Sequence, residues 1–367
     1  MLYLDYQSTT PLAPEAREAM LRWLAGPGAD EFGGDGFANP ASNYRAGRAA
    51  AAAVEVARDQ VAALLPAGGR VYFTSGATEA INWALFAGQR HYGAPVAGTA
   101  IEHAATIQCL ERLGGTLWPV DAEGIAILPN SIAPGTIGAC MLVNNEVGTI
   151  QPVAEFAGAL HAAGGLLLCD AVQGYGRMPI PAGPDFIAVS AHKIHGPKGI
   201  GALWVKDGVH LPPLLVGGAQ EEGMRSGTVS PALVAGFGTA AALAAKRMDD
   251  DAAHVARLWD IATERLQGWT INGATRAGQH YRGNLNIRRH GVNGARLLSD
   301  ARDVAFSLGS ACGSGSGKVS HVLRAMGLSE AEARSSIRIG WGRYTTQAEL
   351  TAALDALIAA SQMQGAE

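Results

Sequence analysis

The sequence predicts an α/β fold: a mainly parallel sheet with helices on both faces, joined to a smaller α+β unit. Three observations carry that reading. Apolar strand-like runs alternate with helical stretches from about residue 46 to about residue 206, the pattern of strands linked by crossover helices. Beyond about residue 250 the alternation gives way to helical stretches, isolated strands and a Gly/Ser-rich segment. The chain has 367 residues, 48% hydrophobic and 16% charged, enough for two cores.

In chain order, residues 46–65 are alanine-rich and uninterrupted and read as a helix, 70–74 as a strand and 79–91 as a helix. Apolar runs around 96–101, 116–120, 137–143, 166–170, 186–190 and 201–205 read as strands, with a helix over 153–163 among the segments between them. Two helical stretches, strands near 284–287 and 336–340, and a last helix over 346–360 make up the smaller unit. The division expected is a large domain over 13–248 and a small domain formed by 1–12 with 249–367. No internal repeat is present.

A net charge of −4 and the lack of a basic block give no footprint for nucleic acid. The start, Met1-Leu2-Tyr3-Leu4-Asp5-Tyr6, lacks the basic residues and long apolar core of a signal peptide. The longest uncharged run, between Arg225 and Lys246, has the length of a membrane span, but Pro231 and its Gly and Ala content mark a buried packing helix. The expectation is a cytoplasmic protein with no membrane or direct nucleic-acid contact. Four scattered cysteines make no disulfide framework. Cys109, Cys140 and Cys169 fall in helix- or strand-like runs and read as inert buried thiols. Cys312 lies in Leu308-Gly309-Ser310-Ala311-Cys312-Gly313-Ser314-Gly315-Ser316-Gly317, whose glycine density excludes a regular element. By composition alone that thiol is equally a substrate-accessible group or an ordinary linker residue.

The chemistry concentrates at strand ends. Asp185-Phe186-Ile187-Ala188-Val189 delivers Ser190-Ala191-His192-Lys193 to the sheet's carboxyl edge, where open α/β sheets hold ligands. Asp170 ends the apolar run Leu166-Leu167-Leu168-Cys169. A lysine for a Schiff base and an acid for a pyridine nitrogen, at neighbouring strand ends, are what pyridoxal phosphate requires. Phe73-Thr74-Ser75-Gly76-Ala77-Thr78-Glu79 is a strand, a turn and a helix start, either ordinary capping or an anion site that Ser190 and His192 extend. His103 in Ile101-Glu102-His103-Ala104 either stacks on a cofactor ring and carries protons or is a strand-end histidine bonded to backbone. Leu142-Val143-Asn144-Asn145-Glu146 ends another strand with an amide able to hold a carboxylate or a ring oxygen, and Gln173 follows Asp170. Arg338 in Ser336-Ile337-Arg338-Ile339-Gly340 needs an anion, from an ion pair or from an α-carboxylate.

Together these motifs resemble the cysteine desulfurases of the NifS/IscS type, within the class V aminotransferase-like pyridoxal phosphate enzymes. The resemblance spans nearly the whole chain, from Tyr3-Leu4-Asp5-Tyr6 and Asn39-Pro40-Ala41-Ser42 through the Lys193 motif and Gly223-Met224-Arg225-Ser226-Gly227-Thr228. It continues to Gly309-Ser310-Ala311-Cys312, Ser320-His321-Val322-Leu323-Arg324 and Ser335-Ser336-Ile337-Arg338. It implies the aspartate aminotransferase-like fold type I, with the small domain carrying a catalytic cysteine loop.

The resemblance assigns roles residue by residue. Lys193 holds the cofactor, Asp170 faces its pyridinium, Gln173 its ring oxygen, and His103 stacks on the ring. Ala77, Thr78, Ser190 and His192 take the phosphate, with Thr228 reaching it from the second subunit of a homodimer. Arg338, with Asn39 and Asn145 nearby, takes the substrate carboxylate, and Cys312 is the nucleophile. The implied reaction converts L-cysteine to L-alanine and leaves a persulfide on Cys312 for an acceptor protein, in iron–sulfur cluster assembly or other sulfur trafficking. No metal is implied. Selenocysteine lyase, another class V reaction on a small amino acid, and an idle partner-binding subunit are the alternatives. Glu222 stands where relatives often carry a basic residue, and Gly313 where Ser or Thr is common.

Overall fold

The computed structural model describes residues 1–24, 26, 36–308 and 319–365. The chain opens with β1 (Leu2–Tyr3), α1 (Pro14–Leu21), α2 (Arg45–Ala62), β2 (Gly69–Thr74), α3 (Ala77–Asn82) and α4 (Gly88–Tyr92). There follow β3 (Val96–Thr99), α5 (Ala104–Arg112), β4 (Thr116–Trp118), β5 (Ile137–Ala139), α6 (Val153–Ala162), β6 (Leu166–Asp170), β7 (Phe186–Ser190) and β8 (Gly201–Lys206). The remainder is α7 (Pro231–Arg265), β9 (Thr270–Asn272), β10 (Asn284–Arg288), α8 (Gly294–Asp300), β11 (Val304–Ala305), α9 (His321–Ala325), α10 (Glu330–Arg334), β12 (Ser336–Gly340) and α11 (Gln347–Met363).

Seven strands form the main sheet in the order β2-β8-β7-β6-β5-β3-β4. From β7 through β6, β5 and β3 to β4 every pairing is parallel. β8 alone runs against its neighbours, pairing antiparallel with both β7 and β2. The sheet is therefore mainly parallel, as expected. The strands are apolar on both sides because both faces are covered. Ile187 and Val189 of β7 join one core with α2, α6 and α7, whereas Phe186 and Ala188 join another beneath α3 and α5. This is the two-residue period of a strand. Where α6 crosses β5, a Cβ on Gly138 would lie 2.5 Å from Leu160 and 2.8 Å from Trp118, so only glycine permits that approach.

The smaller sheet is antiparallel in the order β12-β10-β9 and packs with α8 and α11 around Leu285, Ile287, Ile337, Ile339 and Leu354. Thr346 and Glu349 close a capping box at the start of α11. The uncharged run after Arg225 starts α7, with Pro231 in its first turn and the Ser230 hydroxyl accepting from Leu233 N–H. α7 has 35 residues and runs straight through position 248, where the expected domain boundary falls. Its first half puts Val234, Phe237, Ala240 and Ala241 into the main core, and its second half puts Val255, Leu258, Trp259 and Ala262 into the smaller one. Among the described residues no helix is long and apolar enough to cross a membrane.

Several elements differ from expectation. The run at 137–143 is a strand only over Ile137–Ala139, yet Cys140 and Leu142 still donate to the carbonyls of Leu168 and Asp170. The helix expected over 79–91 begins at Ala77 and contains a π-helical turn, Trp83–Ala87, where the buried Trp83 indole donates to the Pro212 carbonyl at 2.7 Å.

Candidate active site

Since β8 opposes both β7 and β2, the strands β2, β3, β5, β6 and β7 all point the same way, and their carboxyl ends share one edge. A cavity of about 730 Å³ opens there, in the range of small-molecule sites. Ala77 and Thr78 after β2, His103 after β3, Asn145 after β5, and Asp170 and Gln173 at β6 line it. Ser190, His192 and Lys193 of the β7 end, and Arg338 from β12 of the smaller sheet, complete the wall.

Lys193 ends a single 3-10 turn, and its amine donates to the Ser8 carbonyl at 2.7 Å and to the Gln7 carbonyl. Burial, with help from the Arg338 and Arg177 guanidinium groups, pushes that amine down to about 7. Asp170 accepts from Val172 N–H at 3.0 Å, and burial raises its carboxyl. His103 caps α5 by accepting from Ala105 N–H at Nδ1, 3.1 Å, so the ring proton of the neutral form sits on Nε2. His192 bonds Thr9 at 3.1 Å, and burial holds it down at about 4, a neutral ring at physiological pH. Gln173 donates to the Gln7 carbonyl at 2.9 Å and accepts from Arg177 at 2.7 Å.

Of the two anions considered for it, Arg338 meets the ion-pair partner, Asp5. It is 1% exposed, and one Nη donates to Asp5 at 2.7 Å while the other donates to the Asn145 carbonyl at 3.0 Å. Its Nε is buried without a partner among the described residues, leaving a donor for a further acceptor. The structure also separates two adjacent asparagines. Asn144 is fully buried and holds the turn, accepting from the amides of Glu146 and Val147 and donating to the Ile101 carbonyl. Asn145 is left to face the cavity.

Two sequence candidates lie elsewhere. Asn39 is exposed and is not part of the cavity wall, because its side-chain oxygen accepts from Ala41 N–H at 2.9 Å in a local turn. Thr228 is exposed and lines no part of this chain's own cavity. Cys312 lies outside the described residues. Cys109, Cys140 and Cys169 are buried, and burial pushes the Cys109 thiol up to about 11 and raises the other two well above the usual thiol range, which leaves them unreactive. Glu222 pairs with Arg70 at the surface, in a left-handed backbone conformation with φ 59°.

Sequence reasoning missed two acids. Glu146 lines the cavity, is 1% exposed, and accepts from the Ser320 hydroxyl. Burial raises its carboxyl. Glu102 is fully buried, bound by Thr99 and Met141 N–H, and burial raises it to about 8. Each stands beside a residue that was singled out, Asn145 and His103, so adjacency was the available signal. Among the described residues no cluster of His, Cys, Asp or Glu is placed to hold a metal.

Pyridoxal phosphate fits this donor set. Asp170 makes no ion pair among the described residues, so a pyridinium gives its buried carboxylate a direct countercharge, and the turn before α3 with Ser190 and His192 offers donors to a phosphate. The turn sits close against β8: a Cβ on Gly201 would lie 2.8 Å from Gly76 backbone. Fold and cavity together define a pyridoxal phosphate enzyme of fold type I.

Comparison with known proteins narrows the class. The aminotransferase class-V family model matches residues 2–352. The cysteine desulfurase IscS of Rickettsia bellii is 39% identical over 372 residues, covering 95% of this chain and 88% of that one. The structure of a NifS-like protein from Rickettsia africae superposes with a TM-score of 0.87 at 26% identity, over 99% of each chain. SspA in complex with cysteine superposes with a TM-score of 0.78 at 29% identity, over 94% of this chain and 100% of that one. The chain belongs to the aminotransferase class-V family.

Proposed function

We propose that this chain is a pyridoxal-phosphate-dependent cysteine desulfurase, converting L-cysteine to L-alanine and leaving the sulfur on Cys312 as a persulfide. The observation that carries this is one cavity holding a buried lysine amine at about 7, a buried aspartate and an arginine with a free donor. Relatives named cysteine desulfurase, 39% identical over 95% of the chain, support it. They lend nothing to an idle subunit or to another class V reaction.

When bound, pyridoxal phosphate supplies the electron sink that lets the substrate Cα proton leave. Lys193 holds the cofactor, then takes that proton as a base, for which an amine near neutrality is suited. Asp170 keeps the ring nitrogen protonated. Gln173 and Asn145 bond the ring oxygen, and Ala77, Thr78, Ser190 and His192 hold the phosphate. His103 would stack on the ring and move protons through Nε2. Arg338 receives the substrate carboxylate at Nε, with Asn145 beside it; Asn39 joins only if its loop turns inward. Cys312 as thiolate attacks the substrate sulfur, so that an S–S bond forms as the C–S bond breaks and the three-carbon fragment leaves as alanine after protonation. A homodimer in which Thr228 completes the partner's phosphate site, and an acceptor such as an iron–sulfur scaffold, complete the proposal.

The test is mass spectrometry after incubation with L-cysteine, alongside an alanine assay. Alanine together with one reducible sulfur on Cys312 is expected, and Cys312→Ser is expected to bind the cofactor and form no alanine. Alanine formation at the wild-type rate by that variant would remove the persulfide step.

A further inference from the structure

A second, smaller cavity shares Lys193 with the first and lies where the two cores meet, between Gly176, Arg177 and Ala244 on one side and Val255 and Arg343 on the other. It has about 30 Å³ of room for the centre of a water-sized guest, enough for one small ligand. We propose that this cavity binds a small monovalent inorganic anion of the chloride class, held by Arg343 and Arg177.

The argument rests on donors and charge. Arg343 is 4% exposed, and its Nε and Nη2 are bound to Asp251 at 2.8 and 2.7 Å. Its Nη1 is buried with no partner among the described residues. Arg177 donates to the Gln173 carbonyl and side chain and to the Lys193 carbonyl, and its guanidinium lies 5.1 Å from the Tyr281 ring centre. Two guanidinium groups thus face one carboxylate, and Asp251 is itself shared with Arg247 at 3.4 Å. His195, the imidazole in the wall, bonds the Pro11 carbonyl at 2.9 Å and is held by burial at about 4, so it adds no charge. Buried charge in excess of its partners is costly. A water would satisfy Nη1 but leave the excess charge, whereas a halide answers both. The site lies beside Arg177, one of the cations that disfavour the ammonium form of Lys193. Its occupancy therefore couples to the lysine that both cavities share.

Bromide is the probe. Crystals of the pyridoxal-phosphate-loaded protein grown in sodium bromide are expected to show an anomalous peak within hydrogen-bond distance of Arg343 Nη1, saturating as bromide rises. Water density there without an anomalous signal overturns the proposal. A peak that grows in proportion to bromide like those on the surface is an adventitious ion only and also overturns it. In solution, exchanging gluconate for chloride at constant ionic strength is expected to raise Tm saturably in the wild type and not in Arg343→Gln. Equal shifts in both proteins count against the site. Should Arg343→Gln fail to fold, the bromide map of the unaltered protein decides alone.

Discussion

At the scale of single residues, the amine of Lys193 departs far from its solution chemistry. Burial disfavours its ammonium form, and Arg338 and Arg177 act the same way, bringing it from 10.5 to about 7. The sign is fixed: below that value the amine is protonated and non-nucleophilic, above it the amine is free. Capture of pyridoxal phosphate by the apoprotein should therefore accelerate through a midpoint near pH 7, where an ordinary lysine would still be inert. Stopped-flow absorbance across pH measures this, and a midpoint above pH 9 would contradict the burial described for Lys193. Arg338 supports a different prediction. Its planar fork binds Asp5 and the Asn145 carbonyl and still leaves Nε free. Arg338→Lys keeps the charge but cannot fill all three positions. Losing one charged hydrogen bond to substrate, roughly 1.5–3 kcal/mol, should raise KM for L-cysteine about 10- to 100-fold with a smaller change in kcat. Steady-state kinetics separates the two, and an unchanged KM would return Arg338 to a purely structural ion pair.

At the scale of elements, α7 joins the two cores, and its weight falls on Phe237. That ring is fully buried and packs against Phe73 and Tyr175, with ring centres 6.3 and 6.1 Å away. Phe237→Ala should cost roughly 3–5 kcal/mol through lost burial and the cavity left behind. Urea unfolding should show a lower midpoint, and a loss under 1 kcal/mol would mean that the site collapses. The same helix shows where the sequence stops being legible. The boundary expected at 248 falls inside it, where Lys246, Arg247, Asp249 and Asp250 are exposed on the stretch between the cores and a continuous helix tolerates charge. β6 and β7 were legible because strands covered on both faces are apolar throughout. Asp170 was legible because it ends β6, and Lys193 because it lies in the turn directly after β7. The division of labour between Asn144 and Asn145 was not, since it depends on which amide faces the turn. The π turn at Trp83–Ala87 carries no sequence signal known to us. Asn39 and Thr228 came from resemblance alone, and neither reaches the cavity of its own chain.

At the scale of the whole molecule, the position of Thr228 makes its proposed role testable without a structure of the dimer. It is exposed and outside its own cavity, which fits the proposed contact with a phosphate held by another copy. In a two-fold dimer each site would then combine Lys193 of one subunit with Thr228 of the other. Lys193→Ala should be inactive, and Thr228→Ala should bind pyridoxal phosphate weakly and turn over slowly. A mixed dimer of the two variants has one site with both residues altered and one with neither. Co-refolding equal amounts gives half mixed dimers, each with one intact site, and activity should return to about a quarter of the wild-type rate. If Thr228 acted within its own chain, every site in the mixture would carry one altered residue, and no recovery would follow. The recovered fraction thus reports how the site is shared between subunits, independently of how tightly either variant binds substrate.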